Sequence, residues 1–363
     1  MGRLPFGLLE SVLAGRFRDM RPNQLPIPSH FEPGSVASVW RVPYQERSYQ
    51  AQDWRRRHGI QLASKDTVKV CLVAIDLQNT FCLPDFELFV AGRSGTGAVD
   101  DNRRLCEFIY RNLGVVTQVY PTLDTHQAIQ IFHPIFLLDC DGQHPAPFTQ
   151  VSLEDVQQGV WKVNPSVCSQ LGMSEEEGYE HLLHYVKALR ESEKYELTVW
   201  PYHGLLGGIG HALVSSVEEA IFFHGQARQS QPTFQIKGNY PLTEHYSALS
   251  PEVLNGPDGK RLGASNTAFL QALVGFDVII IAGQAKSHCV AWTIAHLLED
   301  PLFGGAGFAE RVYLLEDCTS AVVVPEVIDY TDEAEVAFAR FADAGMHRVC
   351  STDPVENWPD VPL

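Results

Sequence analysis

Two stretches, VKVCLVAID at 68–76 and FDVIIIAGQA at 276–285, are almost unbroken apolar runs rich in β-branched residues. Strands of this kind need cover on both faces, which places them at the centre of a sheet sandwiched between helices. The rest of the chain fits that demand. VDDNRRLCEFIYRNLG (99–114) has helical spacing, VVTQVYPTLD (115–124) and PTFQIKG (232–238) read as strands, and RVYLLEDC (311–318) and HRVCST (347–352) as two more. Helical patterns fall at 264–275, 289–299 and 333–344. This alternation predicts an α/β protein, a three-layer α/β/α arrangement around a mostly parallel, doubly wound sheet. Ligands bind such sheets beyond the C-terminal ends of the strands, so the residues that carry chemistry are sought there.

Two segments break the rhythm. Residues 1–66 are rich in Arg and Pro without a sustained period, and are expected to form an extension with one short helix, lying on the domain or on a neighbouring subunit. Residues 134–199 carry a charged helical stretch, SEEEGYEHLLHYVKALRESE, whose Leu182, Leu183, Val186 and Leu189 make one apolar stripe. The expected organisation is an extension (1–66), one domain (67–355) interrupted by an insertion (134–199), and a tail (356–363).

Composition narrows the partners. A formal charge of -17 repels polyanions, and phosphate binding needs clustered Lys and Arg, so a general nucleic-acid role is excluded and a small-molecule partner expected. No apolar run reaches the ~18 residues that span a bilayer, so no membrane partner is expected. In the opening MGRLPFGLLESVLAGRFRDMR, Glu10 interrupts the apolar run and Phe6 stands where a myristoylation pattern wants Ser or Thr. The segment is read as neither signal peptide nor lipidation site. Eight cysteines without a CxxC pair suit free thiols in a reducing compartment, and the cytoplasm is the expected location.

Three residues stand at the C-terminal ends of expected strands: Asp76 in AIDLQNTF, Lys237 in FQIKGNY, and Cys289 in GQAKSHCV, where it opens a helix. Each has a bland reading, as a turn cap, a solvated strand end and a buried thiol. Together they make a set, because a cysteine becomes a nucleophile on losing its proton, an aspartate can take that proton, and a lysine can hold the anion. A helix N-terminus also favours the thiolate. A second group follows from LDTHQAIQIFHP and VWPYHG. Asp124 and His126 are alternate residues of an extended segment and share a side, and His133 and His203 add two imidazoles. One carboxylate with three imidazoles suits Zn²⁺, Mn²⁺ or Fe²⁺.

With these motifs in order, the chain resembles the isochorismatase-like cysteine hydrolases, and among them the nicotinamidases. The motifs are IDLQNTF, DTH with a later His, WPYHGLLGGIG, KG followed by HYSAL, GQAKSHCV, and LLEDCTSA followed by AFARFADAGMHRVCST. The resemblance implies a catalytic triad of Asp76, Lys237 and Cys289, and one divalent ion, zinc before iron or manganese, on Asp124, His126, His133 and His203. It implies a substrate ring held by Phe81, Trp200 and Tyr246. It further implies a cis peptide between Gln284 and Ala285, with the N–H groups of Ala285 and Cys289 as an oxyanion hole. The implied reaction is deamidation of nicotinamide, or a related aromatic carboxamide, through a cysteine thioester. Another, larger amide or a carbamoyl compound is the alternative substrate, and a non-catalytic binding or scaffold protein the alternative class. Thr125 stands where nicotinamidases often have Trp, and Gly204 where they often have Cys. The extension and insertion are candidates for a lid, for substrate walls or for the interface of an expected homo-oligomer. Lys286 is expected to shape the turn or face solvent, His288 to contact the pocket, Cys82 and Cys318 to pack, and Asp317 to act as a structural cap.

Overall fold

The computed structural model describes residues 24–303 and 307–363, so the readings made for the first 23 residues lie outside the described part. Six strands make the central sheet: β1 (Val70–Ile75), β2 (Gln118–Asp124), β3 (Gln235–Lys237), β4 (Val278–Gly283), β5 (Val312–Leu315) and β6 (His347–Val349). Their spatial order is β6-β5-β4-β1-β2-β3, and every neighbouring pair is parallel. The chain winds outward from β1 to β3 on one side and from β4 to β6 on the other. Its direction therefore reverses between β1 and β4, and a crevice opens at such a switch point.

Alternation along the strands builds two cores. On β1, Val70, Leu72 and Ala74 enter one apolar cluster, while Cys71, Val73 and Ile75 enter the other. The longer helices are α1 (Tyr44–His58), α2 (Gly97–Arg111), α3 (Glu175–Glu191), α4 (Ser215–Arg228), α5 (Thr267–Val274), α6 (Ala291–Glu299) and α7 (Thr331–Asp343). Helices α2 and α4 cover the first face; α5, α6 and α7 cover the second. This is the three-layer α/β/α architecture expected from the sequence. No described helix is long and apolar enough to cross a membrane.

Helix α4 had no counterpart in the sequence reading. Its Val217, Ala220, Ile221, Phe223, His224, Ala227 and Arg228 are all buried, because α1 and α2 both pack on it. A helix covered on several sides shows no single apolar stripe. The helix in the extension, α1, is a full 15 residues and lies on its own domain. Arg47 Nε meets the Glu219 carboxylate at 2.6 Å, Trp40 donates its N–H to Ser215 Oγ at 2.9 Å, and the Leu25 N–H reaches the Arg111 carbonyl at 2.8 Å.

The 134–199 segment docks through α3, which begins with a capping box of Ser174 and Glu177. Leu182, Val186 and Leu189 are buried as expected, joined by His181 and Tyr185, whereas Leu183 is only half-buried. Those two ring residues anchor the segment after β3. His181 donates from Nε2 to the Leu242 carbonyl at 2.9 Å, and the Tyr185 hydroxyl accepts the Glu244 N–H at 3.0 Å. Lys194 adds a charge clamp, donating to the Glu252 carbonyl at 2.9 Å and pairing with its carboxylate at 3.0 Å. Glu252 is 7% exposed, and burial raises its pKa while Lys194 lowers it. Lys194→Ala leaves that carboxyl buried without its partner, so chemical denaturation should show a loss of up to about 3–5 kcal/mol. A change below about 0.5 kcal/mol, the range of an ordinary surface substitution, would show that the clamp does not hold the insertion.

Candidate active site at the strand switch point

The residues singled out in the sequence converge above the C-terminal ends of β1, β2, β3 and β4. Asp76 follows β1 with a φ of 47°, a conformation uncommon outside glycine. It is held there by Thr122 of β2, whose hydroxyl accepts the Asp76 N–H at 2.9 Å and donates to the Asp76 carboxylate. Asp124 ends β2 and is fixed by Gln78, whose side-chain amide accepts the Asp124 N–H at 2.7 Å and donates to its carbonyl at 2.9 Å. Lys237 ends β3, 2% exposed. Its Nζ lies 3.0 Å from Asp76 Oδ2, 2.9 Å from Asp124 Oδ1, 3.0 Å from the His245 carbonyl and 3.6 Å from Cys289 Sγ. One ammonium thereby joins both groups read from the sequence.

Two glycines make this convergence possible. Gly283, at φ 122°, closes β4 so tightly on β1 that a Cβ would stand 2.0 Å from the Ile75 carbonyl oxygen. At Gly238, φ 89°, a Cβ would meet Asp124 Oδ1 at 2.5 Å and the His126 ring at 2.8 Å. Any side chain at either position would push apart the strands and rings that form the site.

Cys289 sits in a five-residue π-turn, Lys286–Val290, that leads into α6, and the Gln284–Ala285 peptide before it is cis. Burial holds the Cys289 thiol well above its ordinary pKa, against the pull of Lys237, with Asp76 and Asp124 adding to the rise. The sequence reading favoured a thiolate at the start of a helix; the buried site holds a thiol instead, because desolvation outweighs the turn and the lysine. The Asp76 carboxyl is itself pushed up by burial and pulled down by Lys237. A carboxylate oxygen of Asp76 and the Cys289 sulfur lie within 4.8 Å of one another, near enough for a proton to pass from sulfur to carboxylate once the two close to hydrogen-bond distance.

The histidines share one device. His126 Nδ1 faces the Gly238 carbonyl at 3.0 Å, His203 Nδ1 the Pro201 carbonyl at 2.7 Å, and His133 Nδ1 the Ala128 carbonyl at 3.2 Å. A carbonyl only accepts, so each Nδ1 carries the proton and each Nε2 is left for another partner, as in metal-ligating histidines. Ligand atoms of Asp124, His126 and His203 lie within 4.8 Å of one another. His133 stands outside that compact group, its ring centroid 6.0 Å from those of His126 and His203, yet its Nε2 is buried and has no hydrogen-bond partner. This donor set fits a divalent ion. Burial works against the charge on Asp124, but His126 and Lys237 hold its pKa well below the carboxylate range. Burial lowers His126 while Asp124, 2.9 Å from its Nε2, raises it to a net upward shift. His133 is lowered to about 4 by burial and by His126, and His203 falls well below its ordinary value for the same two reasons; both are neutral imidazoles.

Beside these groups runs a narrow, mostly apolar cleft lined by Phe81, Trp200, Tyr246, His288, Ala285 and Cys289. The Trp200 indole donates to the Tyr246 hydroxyl at 3.0 Å, and Phe81 meets the His203 ring edge-on with centroids 5.5 Å apart. Glu244 also lines the cleft, and burial pushes its carboxyl up to about 8. The sequence reading passed over Glu244, although it stands seven residues beyond Lys237, and over Thr122, which shares a strand face with Asp124 by the alternation of side chains. Lys286 neither faces solvent nor enters the cleft: it is 6% exposed and pairs with Glu335 and with Glu316. Cys82 and Cys318 are buried. Asp317 accepts the Ser351 N–H and hydroxyl at 2.8 and 2.7 Å, a structural role.

The sequence matches no protein-family model and no curated protein. Among solved structures, a nicotinamidase/pyrazinamidase from Acinetobacter baumanii is similar at 19% identity over 80% of this chain and 99% of that one, with a TM-score of 0.47. The yeast nicotinamidase bound to the inhibitor nicotinaldehyde is similar at 14% identity over 77% and 99%, TM-score 0.49. The pyrazinamidase of Pyrococcus horikoshii in complex with zinc is similar at 17% identity over 78% and 99%, TM-score 0.42.

Proposed function

We propose that this protein is a metal-containing cysteine amidohydrolase that deamidates nicotinamide or a related small aromatic carboxamide to the acid and ammonia. The observation that carries the reading is Lys237, whose ammonium contacts Asp76, Asp124 and Cys289 together and so ties a nucleophile and its base to a ligand set for a metal.

In this reading the substrate ring lies between Phe81 and Trp200 with Tyr246 beside it, and its carboxamide carbon faces Cys289. Asp76 takes the thiol proton and Lys237 stabilises the sulfur anion as it adds to the carbonyl. The N–H groups of Ala285 and Cys289 receive the oxyanion, and donors in such positions contribute about 10²–10³ in rate each. Collapse breaks the C–N bond, and ammonia leaves with the proton from Asp76. Water then adds to the thioester, giving a proton to Asp76. Collapse of that adduct breaks the C–S bond, releases the acid and returns the proton to sulfur. A divalent ion on Asp124, His126, His203 and His133, zinc before iron or manganese, would supply a Lewis-acid point that orients a ring nitrogen. The narrow cleft favours a small, flat substrate over a large amide.

The test is ammonia release from nicotinamide by the purified, metal-loaded protein. Release dependent on Cys289 supports the reading; none from a folded, metal-loaded sample would refute nicotinamide as substrate and turn the search to other amides. The metal shell has its own test. His126→Ala should lower metal affinity by more than the about 10–100-fold that loss of a supporting contact costs, and should weaken substrate binding. One bound ion per chain after loss of His126, His133 and His203 together would refute the shell.

A further inference from the structure

The turn that carries Cys289 is clamped at three points, and one clamp comes from the insertion. From the domain itself, the Lys286 N–H reaches the Ser320 carbonyl at 2.8 Å, and the Val322 N–H reaches Ser287 Oγ at 3.1 Å. From the end of the insertion, the Tyr195 hydroxyl donates to the Ser287 carbonyl at 3.0 Å. The Tyr195 ring lies 4.9 Å from that of His288, which meets Tyr330 on another side at 4.7 Å. Tyr330 in turn accepts from Gln150 of the insertion at 3.2 Å. The Ser287 carbonyl belongs to the peptide that leads into His288, one residue before the nucleophile. Turning that peptide plane would shift His288 and, one residue on, the Cys289 sulfur that lies 3.6 Å from Lys237 Nζ.

We propose that Tyr195 is a positioning residue for Cys289, and that the 134–199 insertion thereby forms part of the active site, bracing the nucleophile turn. The inference rests on the reading of Cys289 as nucleophile. Tyr195 is not among the residues that line the cleft, so it acts through the turn. Burial, with Tyr330 and Glu333 adding, pushes its phenol above the ordinary range, which keeps the hydroxyl a donor at neutral pH.

Tyr195→Phe separates hydroxyl from ring, and Tyr195→Ala removes both. The expected result for Tyr195→Phe is a fall of about tenfold in kcat with KM within about twofold, since small misplacements of a reacting group cost rate more than affinity. Alkylation of Cys289 by iodoacetamide at neutral pH, followed by peptide mass spectrometry, should slow by a similar factor, with the thermal midpoint unchanged. Tyr195→Ala should slow both further. Wild-type turnover and alkylation in Tyr195→Phe would overturn the proposal, as would losses that appear only with a lowered thermal midpoint. Should the wild-type protein leave nicotinamide intact, alkylation decides alone: a slowed Cys289 in Tyr195→Phe upholds the brace while the substrate reading fails, and equal rates sink the brace.

Discussion

The Cys289→Ala variant should release no ammonia from nicotinamide above background, a loss of about 10⁴–10⁶-fold of the kind seen when a covalent nucleophile is removed from an otherwise intact site. The sulfur is 3.6 Å from Lys237 Nζ and within 4.8 Å of an Asp76 carboxylate oxygen, and none of the other seven cysteines lines the cleft. No neighbouring thiol is placed to substitute. Alanine removes one buried atom, and the ion pairs of Lys237 with Asp76 and Asp124 do not depend on it, so fold and metal content should be kept. Steady-state ammonia release, metal analysis and thermal unfolding on one preparation would check all three. Turnover within tenfold of wild type would exclude a thioester and make Cys289 a packing residue.

Lys237→Met should lose both activity and stability. Methionine matches the length and burial of the lysine stem but removes the one charge shared by two carboxylates, Asp76 and Asp124, that are 0% and 4% exposed. Breaking a buried ion pair from one side costs about 3–5 kcal/mol, because the remaining charge is desolvated and unpaired. Here the carboxyl most ready to relax by protonation is Asp76, which burial already pushes up, and a protonated Asp76 can no longer take the proton of Cys289. Turnover should therefore fall by about 10²–10⁴-fold, the usual share of an acid–base group. The double variant Asp76→Asn/Lys237→Met discriminates. It should recover much of the stability by removing the stranded charge, and none of the activity. Stability in Lys237→Met equal to wild type would show that the two carboxylates do not depend on this lysine.

Much of the fold was legible because the parallel sheet prints itself as continuous apolar runs. β1 and β4 were read within two residues of their observed ends, and Asp76, Asp124 and Lys237 each fell at a strand terminus. The helix within residues 134–199 was legible as a stripe, although that stripe runs through His181 and Tyr185 and leaves Leu183 half-buried. Helix α4 escaped because contacts on several sides erase the periodicity that would reveal it. Thr122, Gln78 and Glu244 escaped for another reason: each matters through a partner distant in sequence or through a cleft wall, and neither leaves a local pattern.

By itself, then, the sequence determined the residue types available for chemistry and the strand ends that hold them, since both follow from short-range patterns of polarity. The ionisation of those residues was decided only by the tertiary structure. Cys289 rests as a thiol because folding removes water from around it, and Asp124 holds its charge because His126 and Lys237 are brought against it. The tertiary structure also decided that Tyr195, 94 residues before Cys289, meets the Ser287 carbonyl beside it. Desolvation and long-range hydrogen bonds depend on what the whole chain places around a group, and no window of neighbouring letters contains that information.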